Sequence, residues 1–406
     1  MPCDDPTHST GAPLGVPDDE RVHLFNSTMQ ERPLRILHLL LATESGGLSK
    51  YVLDLSVAVA EQGHRVTVAG DRGAWHDRFR DRPFELIEIP LKCGFGGFRR
   101  STAILRERLA RHPVDLIHTH YRRATLLARR ARKACPGAPL LYTLHLSHIS
   151  LRFPRNLFTD FGDHTHVASE DARDWLSRDA GVPPDRISYI PHGIEVERFP
   201  RRDDAARSRA RAMLGLGDAD RVVAFVGRLE DPKNASWLLD LAGATRGQFG
   251  NLRILLAGDG PDAPRLRDRI DAENLHDRVR LLGEIDPLPL YQSADALLLP
   301  SGREGFSYVC AEAMCVGVPV LRTRTSGTTA TVVEGLTGRS TPIDRDAFVA
   351  AAIEFLSDQP RLREMGRAAA EHVRVNLNFR EQVTRTLDLY RRLTRLAPSP
   401  GRPGIA

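Results

Sequence analysis

The sequence predicts an α/β protein built from two doubly wound domains of parallel sheet, which face each other across a cleft. Its 406 residues exceed what one ordinary hydrophobic core holds, and they fit two domains of average size. In both halves, apolar strand-like runs alternate with helical stretches. The pattern stops in a polar segment at residues 200–220 and then restarts, which indicates a boundary between the domains.

The first half opens with a βαβ unit. Residues 35–43, RILHLLLAT, predict a buried strand; a glycine-bearing loop follows, and residues 49–62 have the spacing of an amphipathic helix. The next strand is predicted in HRVTVAG, and further strands are predicted in FELIEIPL, VDLIHTH, PLLYTLH and HTHVAS. Because helical stretches separate these runs, we expect a parallel sheet with helices on both faces.

The second half repeats this alternation. Strands are predicted in RVVAFVGRL, LRILLAGDG, VRLLGEI, ALLLPS and PVLRTRT, and helices at residues 236–242, 263–272 and about 308–315. The predicted organisation is a disordered tail at 1–31, a first domain at 32–199, a connection at 200–220, a second domain at 221–377, a C-terminal helix at 378–396 and a tail at 397–406.

Composition is typical of a globular protein from a reducing compartment. The chain is 41% hydrophobic and 27% charged, and no apolar run approaches the roughly 18 residues of a membrane span, so we expect a soluble protein. The first residues lack the basic start and apolar stretch of a secretory signal. The cysteines are odd in number and form no C-x-x-C pair, which argues against a disulfide framework and favours the cytoplasm: Cys3, Cys93, Cys135, Cys310 and Cys315.

Charged residues in the loops of the second half are the first candidates for a site, because open parallel sheets bind ligands at the carboxyl ends of their strands. Glu304 and Glu312 are separated by seven residues, and such carboxylates can accept hydrogen bonds from sugar or ribose hydroxyls. Arg228 and Lys233 follow a predicted strand, where cations can neutralise a diphosphate. The alternatives are a helix-start acid, a solvated helix acid and ordinary surface cations.

The motifs in their chain order resemble a known family. They are SGG at residues 45–47, the TLH that ends in His145, IPHGIE, GRLEDPKN, LAGDGP, LLGE, EGFSYVCAEAMCVGVPV and EGLTG. Together they are similar to the family 4 retaining glycosyltransferases of GT-B fold, over residues 34–380. The resemblance implies two Rossmann-like domains and transfer of a sugar from a nucleotide-sugar donor, with UDP, GDP or ADP as the nucleotide, and no cofactor.

The resemblance also implies roles for individual residues. Arg228 and Lys233 match the pair that contacts the donor diphosphate. Glu304 matches the acid at the donor sugar, and Glu312 matches the acid that holds the ribose. His145 matches the family's active-site histidine and, with Arg228, Lys233 and Glu304, completes the predicted catalytic set.

Three further positions are predicted to bind the donor through their backbone. Gly47 matches the loop glycine that approaches the phosphates from the first domain, and its lack of a side chain permits that approach. Gly305 and Phe306 would supply N–H groups near the sugar and phosphate. One departure concerns residues 326–330, Ser-Gly-Thr-Thr-Ala, where relatives often carry Gly-Gly-x-x-Glu; the missing acid at Ala330 leaves the donor identity open.

The resemblance leaves the acceptor open among polysaccharide, lipid-linked and small glycoside precursors, with synthesis of cell-surface material as the most general expectation. Rival interpretations are a nucleotide-sugar epimerase or a phosphorylase of the same architecture, and a non-catalytic homologue that binds sugar nucleotides. An NAD-dependent oxidoreductase is disfavoured because the glycines at 258 and 260 do not extend to G-x-G-x-x-G.

The sequence predicts no metal site. His118, His120 and His145 end neighbouring predicted strands, but no carboxylate or cysteine spacing completes a zinc site around them. Asp218 and Asp220 form a lone D-x-D in a glycine-rich turn, where aspartate is common for local reasons.

A basic segment lies in the first half. Between Lys92 and Lys133 there are twelve Lys and Arg against Glu107 and Asp115, so that 12 − 2 gives +10, twice the net charge of +5 that the whole chain carries. One interpretation is a peripheral contact with anionic lipid at the inner face of the cell membrane, and the other is a solvated arginine-rich surface. Stacking aromatics are few, so nucleic acid is not an expected partner.

Overall fold

The computed structural model describes residues 32–152 and 159–396. Contacts between residues divide the chain into two units, residues 1–33 and residues 34–406. Every element described below belongs to the second unit. The predicted tails at 1–31 and 397–406 lie outside the described residues.

In the first half, strands and helices alternate as the sequence predicts. The strands are β1 (Arg35–Ala42), β2 (Arg65–Asp71), β3 (Glu85–Glu88), β4 (Leu116–Thr119), β5 (Leu140–Leu144), β6 (His164–Val167) and β7 (Ile187–Tyr189). The helices are α1 (Gly47–Glu61), α2 (His76–Phe79), α3 (Gly94–Arg111), α4 (Arg122–Ala131) and α5 (Glu170–Arg178), with 3₁₀ turns at Arg132–Ala134, Pro184–Arg186 and Val196–Arg198.

The second half follows the same plan. Its strands are β8 (Arg221–Val226), β9 (Leu252–Ala257), β10 (Val279–Gly283), β11 (Ala296–Leu299), β12 (Val320–Thr323) and β13 (Gly338–Thr341). Its helices are α6 (Asp204–Met213), α7 (Ser236–Ala244), α8 (Ala263–Ala272), α9 (Pro287–Ser293), α10 (Tyr308–Val316), α11 (Thr328–Thr331), α12 (Arg345–Ser357), α13 (Gln359–Asn376) and α14 (Phe379–Leu396).

The two sheets have the predicted doubly wound topology. Their strand orders are β3-β2-β1-β4-β5-β6-β7 and β10-β9-β8-β11-β12-β13, and the paired strands within each sheet run parallel. The order reverses beside β1 in the first sheet and beside β8 in the second. Such switch points open a crevice at the carboxyl ends of the strands; Gly47 begins the helix that follows β1, and Arg228 lies in the loop after β8.

The polar stretch at 200–220 contains helix α6, which packs into the second half. Arg211 of this helix is 1% exposed and forms an ion pair of 3.0 Å with Asp295. Its guanidinium also donates to the carbonyls of Gly217, Asp218 and Asp220, which fixes the turn that contains the D-x-D sequence. This arrangement gives Asp218 and Asp220 a structural explanation.

The chain passes between the halves at two adjacent points. The N–H of Ile194 donates to Leu377 at 2.9 Å, and that of Phe379 donates to Ile194 at 3.0 Å. Helix α14 then returns to the first half, where it packs against β1 and α1 through apolar residues that include Val383, Leu387 and Leu393. The C-terminal helix therefore ties the end of the chain to the first sheet.

Candidate active site

Lys233 and Glu304, two of the predicted site residues, come together in the second half. Lys233 lies in the loop after β8 and Glu304 in the loop between β11 and α10, and Lys233 Nζ forms an ion pair with Glu304 Oε1. The hydroxyl of Ser301 donates to the same oxygen at 3.1 Å. Both charged side chains are largely buried, so solvent screens the pair only in part.

Arg228 is the more exposed cation of the predicted diphosphate pair. Its side chain is 56% exposed and lies 3.0 Å from Glu230. In the first half, Lys92 holds the pKa of Glu44 below its ordinary value through a hydrogen bond, and the charge of Arg228 adds to this effect. The loops after β1 and β8 therefore bring Glu44 and Arg228 within electrostatic reach of each other.

Glu312 is a buried carboxylate on α10. It is 9% exposed, and the hydroxyl of Tyr291 donates to its Oε2 at 3.1 Å. Burial raises the pKa of Glu312 from 4.5 to about 7, against the charge of Lys50, which lowers it. Near neutral pH this group is therefore part protonated, unlike the solvated helix acid that was the alternative.

Two of the predicted glycines lie where the halves touch. A Cβ on Gly305 would lie 2.1 Å from the carbonyl oxygen of His145, so the position excludes a side chain. A Cβ on Gly47 would meet the ring of Tyr308 at 3.3 Å. The loop of the second half that contains Gly305 thus rests directly on His145, the residue that follows β5.

His145 stands at the edge of a group of rings. Its ring centroid lies 5.1 Å from that of Tyr51 and 5.5 Å from that of His192, and Phe306 packs on His192 at 5.3 Å. Burial lowers the pKa of His145 to about 3, so the ring is neutral at physiological pH. The ring of Phe306, in the predicted donor loop, therefore packs on His192. The ring of His192 in turn packs on His145, the predicted catalytic histidine.

The sequence predicted that His118 and His120 lie beside His145, but sequence reasoning missed His38. His38 of β1 lies against His118 and His120, and the candidate ligand atoms of these three residues are within 4.8 Å of one another. Both ring nitrogens of His118 are already engaged, with Tyr390 and Thr143, each at 2.6 Å. A metal ion would have to displace one of these hydrogen bonds. A polar residue inside the apolar run RILHLLLA was the signal that could have identified His38.

The loop that departs from the family pattern contacts the first half. The N–H of Ser147 and its hydroxyl lie 2.9 and 2.6 Å from Ser326 Oγ. Asp171 accepts from the N–H of Gly327 at 3.2 Å and from the hydroxyl of Thr329 at 2.7 Å. Ala330 is buried, and its methyl group stands at the position where the family resemblance implies a carboxylate.

Several cations of the basic segment, residues 92–133, form ion pairs within the protein. Arg129 and Arg132 form ion pairs with Asp160 and Asp163, and Arg108 pairs with Glu85. Exposed residues of α3 for which the described structure gives no ion pair are Arg99, Arg100 and Arg106, and Phe95 beside them is 77% exposed. None of the described helices is both long and apolar enough to cross a membrane.

These features define the class of protein. Two facing parallel sheets, with paired cations and carboxylates at the carboxyl edge of the second, are those of a GT-B glycosyltransferase. Residues 206–372 match the family model described as glycosyl transferases group 1, and residues 45–198 match that of glycosyltransferase family 4.

Known relatives and structures agree with these matches. The chain is 30% identical over 374 residues to D-inositol 3-phosphate glycosyltransferase of Corynebacterium glutamicum, covering 82% of this chain and 88% of the relative. The enzyme of that name from Mycobacterium bovis is 27% identical, over 81% of this chain and 75% of its own length. The chain belongs to the family 4, group 1 glycosyltransferases and has transferase activity.

Solved structures share the fold. Sucrose-phosphate synthase from Thermosynechococcus elongatus superposes with a TM-score of 0.75 at 22% identity, over 89% of this chain and 100% of the other. Anabaena Alr3699/HepE in complex with UDP gives 0.77 at 19% identity, over 88% and 100%. The predicted α/β two-domain architecture and the predicted family are confirmed.

Proposed function

We propose that this glycosyltransferase takes a sugar from a UDP-sugar and transfers it, with retention of anomeric configuration, to a hydroxyl of a phosphorylated polyol. The Lys233–Glu304 pair carries the proposal, because it places a cation and a hydrogen-bond acceptor at one point of the cleft. GDP- and ADP-sugars are the other donors to test. UDP is favoured because Anabaena Alr3699/HepE has structures with UDP and with UDP-glucose.

Donor binding follows from the charges of the second half. Arg228 and Lys233 neutralise the diphosphate, and their role grows as negative charge develops on the leaving group. Glu304 accepts from hydroxyls of the transferred sugar. Glu312 accepts from the ribose, whose paired hydroxyls match the two oxygens of one carboxylate.

Backbone groups complete the donor site. Gly47 lets the first half approach the phosphates, and the N–H groups of Gly305 and Phe306 face the sugar and phosphate oxygens. His145 lies beside the reacting sugar, because its carbonyl packs on Gly305. Contact between the two halves excludes water from the reacting atoms, which limits hydrolysis of the donor.

The acceptor proposal rests on relatives and on charge. Curated relatives are named for D-inositol 3-phosphate, a phosphorylated polyol. Lys92 lies in the loop after β3, where it pairs with Glu44, and Arg122 and Arg123 begin helix α4 after β4, so three cations lie at the carboxyl edge of the first sheet. Such cations suit a phosphate. Lipid-linked and polysaccharide acceptors, with a contact of α3 at an anionic membrane, are the alternative.

The test is release of nucleotide diphosphate from UDP-, GDP- and ADP-sugars, with and without inositol phosphates, sugar phosphates and neutral polyols. We expect release that depends on both a UDP-sugar and a phosphorylated acceptor. Lys233→Ala should lower kcat/KM by about 10²–10³, whereas Lys133→Ala, which removes an exposed lysine far from the pair, should not. NMR of the product gives the anomeric configuration, and inversion would refute retention.

The same assay separates the rival functions. A donor sugar that is interconverted without acceptor would indicate an epimerase, and transfer to inorganic phosphate would indicate a phosphorylase. The absence of an acid at Ala330 motivates a non-catalytic homologue. Donor binding without turnover for any acceptor would support that alternative.

A further inference from the structure

Three histidines form a hydrogen-bonded row that ends at the cleft. His38 Nδ1 lies 2.9 Å from His120 Nε2, and His120 Nδ1 lies 3.4 Å from His145 Nε2. His38 and His120 are at most 1% exposed, whereas His145 is partly exposed. The row therefore runs from the core of the first sheet to the candidate active site.

Strand register produces this row. His38 of β1 pairs with His118 of β4, and His120 lies two residues beyond His118, on the same face of the sheet. The N–H of His120 donates to the carbonyl of Leu39 at 2.9 Å, which fixes the backbone beyond the strand end. His145 directly follows β5, the next strand of the sheet. Rigid backbone thus holds all three rings.

All three rings are neutral. Burial lowers the pKa of His38 and of His145 to about 3, and lowers that of His120 well below its ordinary value. A neutral imidazole has one N–H donor and one acceptor nitrogen. Consequently the row has two consistent arrangements, in which every N–H points toward His145 or every N–H points toward His38.

The unpaired nitrogen at the buried end decides between them. His38 Nε2 is buried and has no hydrogen-bond partner among the described residues. If the N–H groups pointed toward His38, this atom would be an orphaned buried donor, which native proteins strongly avoid. In the opposite arrangement it is only an unused acceptor. The arrangement in which every N–H points toward His145 therefore holds, and it leaves Nδ1 of His145 as an N–H group to which the described structure gives no partner.

We propose that His38 and His120 are positioning residues that fix His145 as its Nδ1–H tautomer and present this N–H to an oxygen of the reacting sugar. The role at the sugar rests on the proposed function, whereas the tautomer does not. His118 does not compete, because Tyr390 and Thr143 occupy its two nitrogens. A neutral hydrogen-bond donor at this point orients the sugar through its oxygen, and it adds no positive charge beside the anomeric carbon, where positive charge develops during transfer.

The tautomer is tested on the free protein by long-range ¹H–¹⁵N NMR of ¹⁵N-histidine-labelled chain. His145→Asn assigns the signals of His145. We expect wild type to show protonated Nδ1 and unprotonated Nε2 at pH 7, and His38→Leu to give a mixture of tautomers. Protonated Nε2, a charged ring, or one tightly bound zinc ion on His38, His118 and His120 would overturn the proposal, since each removes the arrangement described.

Kinetics then test the consequence. His38→Leu should lower kcat about tenfold, the scale of one hydrogen bond, with the KM for donor within about twofold. His38→Asn should restore most of kcat, because its amide nitrogen can donate from the position of Nδ1. The control is His164→Leu, which removes a buried histidine that bonds Ser188 outside the row.

Equal losses of kcat in His38→Leu and His164→Leu would overturn the positioning role, because they would indicate general destabilisation. A protein with the expected tautomer and no transfer to any acceptor would refute the proposed function alone.

Discussion

We predict that Glu312, the proposed ribose ligand, makes donor affinity depend on pH near neutrality. In the free protein burial raises the pKa of Glu312 to about 7. Ribose hydroxyls donate hydrogen bonds to the carboxylate oxygens of Glu312, and these hydrogen bonds favour the ionised form of Glu312. Donor binding should therefore lower this pKa and release a proton. As pH falls below 7, the protonated free state increasingly opposes binding.

The magnitude follows from the ionised fraction. With a free-state pKa of about 7 and a bound-state pKa below about 5, the Kd for a UDP-sugar should be about tenfold higher at pH 6 than at pH 8, or ~1.4 kcal/mol. His145 and His192 do not obscure this change, because burial lowers the pKa of His145 to about 3 and that of His192 well below its ordinary value.

Calorimetry at pH 6, 7 and 8, in buffers of different ionisation enthalpy, measures both affinity and proton release. We expect release of about half a proton at pH 7. Glu312→Gln should bind more weakly at pH 8 and lose the pH dependence, whereas Glu284→Gln, at an exposed acid, should keep it. A wild-type Kd that is constant from pH 6 to 8, or an equal slope in Glu312→Gln, would refute the reasoning.

Three further changes have distinct outcomes. Gly305→Ala should raise the KM for donor at least tenfold in a folded protein, since its Cβ would lie 2.1 Å from the carbonyl oxygen of His145; steady-state kinetics and circular dichroism check this. Asp295→Asn should lower the free energy of unfolding by about 3 kcal/mol in urea titrations, because it leaves the buried Arg211 without its anion; unchanged stability would contradict it. Phe95→Ser should reduce sedimentation with anionic liposomes more than Leu336→Ser, an exposed apolar control in the second half; wild type that does not sediment would exclude the membrane contact.

Much of the fold follows from the sequence because buried parallel strands are continuous apolar runs. RILHLLLAT and RVVAFVGRL predict β1 and β8 to within a few residues, and helix α8 matches its predicted bounds. Helix α6 was hidden, since residues 200–220 are dominated by arginine and aspartate. Two of its arginines, Arg207 and Arg211, pair with Asp295, and no local pattern indicates a partner 88 and 84 residues away.

The candidate site, like the fold, was predicted from the sequence only in part. Lys233 and Glu304 stand at loop positions that order alone predicts, because the carboxyl ends of neighbouring strands meet at one edge of the sheet. The sequence placed His120 near His145, but it did not predict His38 behind them. His38 reaches His120 only because β1 and β4 are neighbours in the sheet, and Asp171 reaches Thr329 only because the two halves touch. Contacts between elements that are far apart in the sequence depend on the strand register and on the packing of the two halves, which the local sequence does not indicate.

We propose that recognition of phosphate and of sugar is coupled through the Lys233–Glu304 pair. Without ligand, the cation and the carboxylate satisfy each other, which stabilises both charges in a partly buried site. A diphosphate near Lys233 competes for its ammonium group and leaves Glu304 Oε1 with the hydroxyl of Ser301 and a free acceptor direction. A sugar hydroxyl can occupy that direction. A free nucleotide diphosphate has no such hydroxyl, so it breaks the pair without replacing the lost hydrogen bond. Discrimination of the intact donor from the leaving nucleotide then follows from one ion pair, and it favours release of the product after transfer.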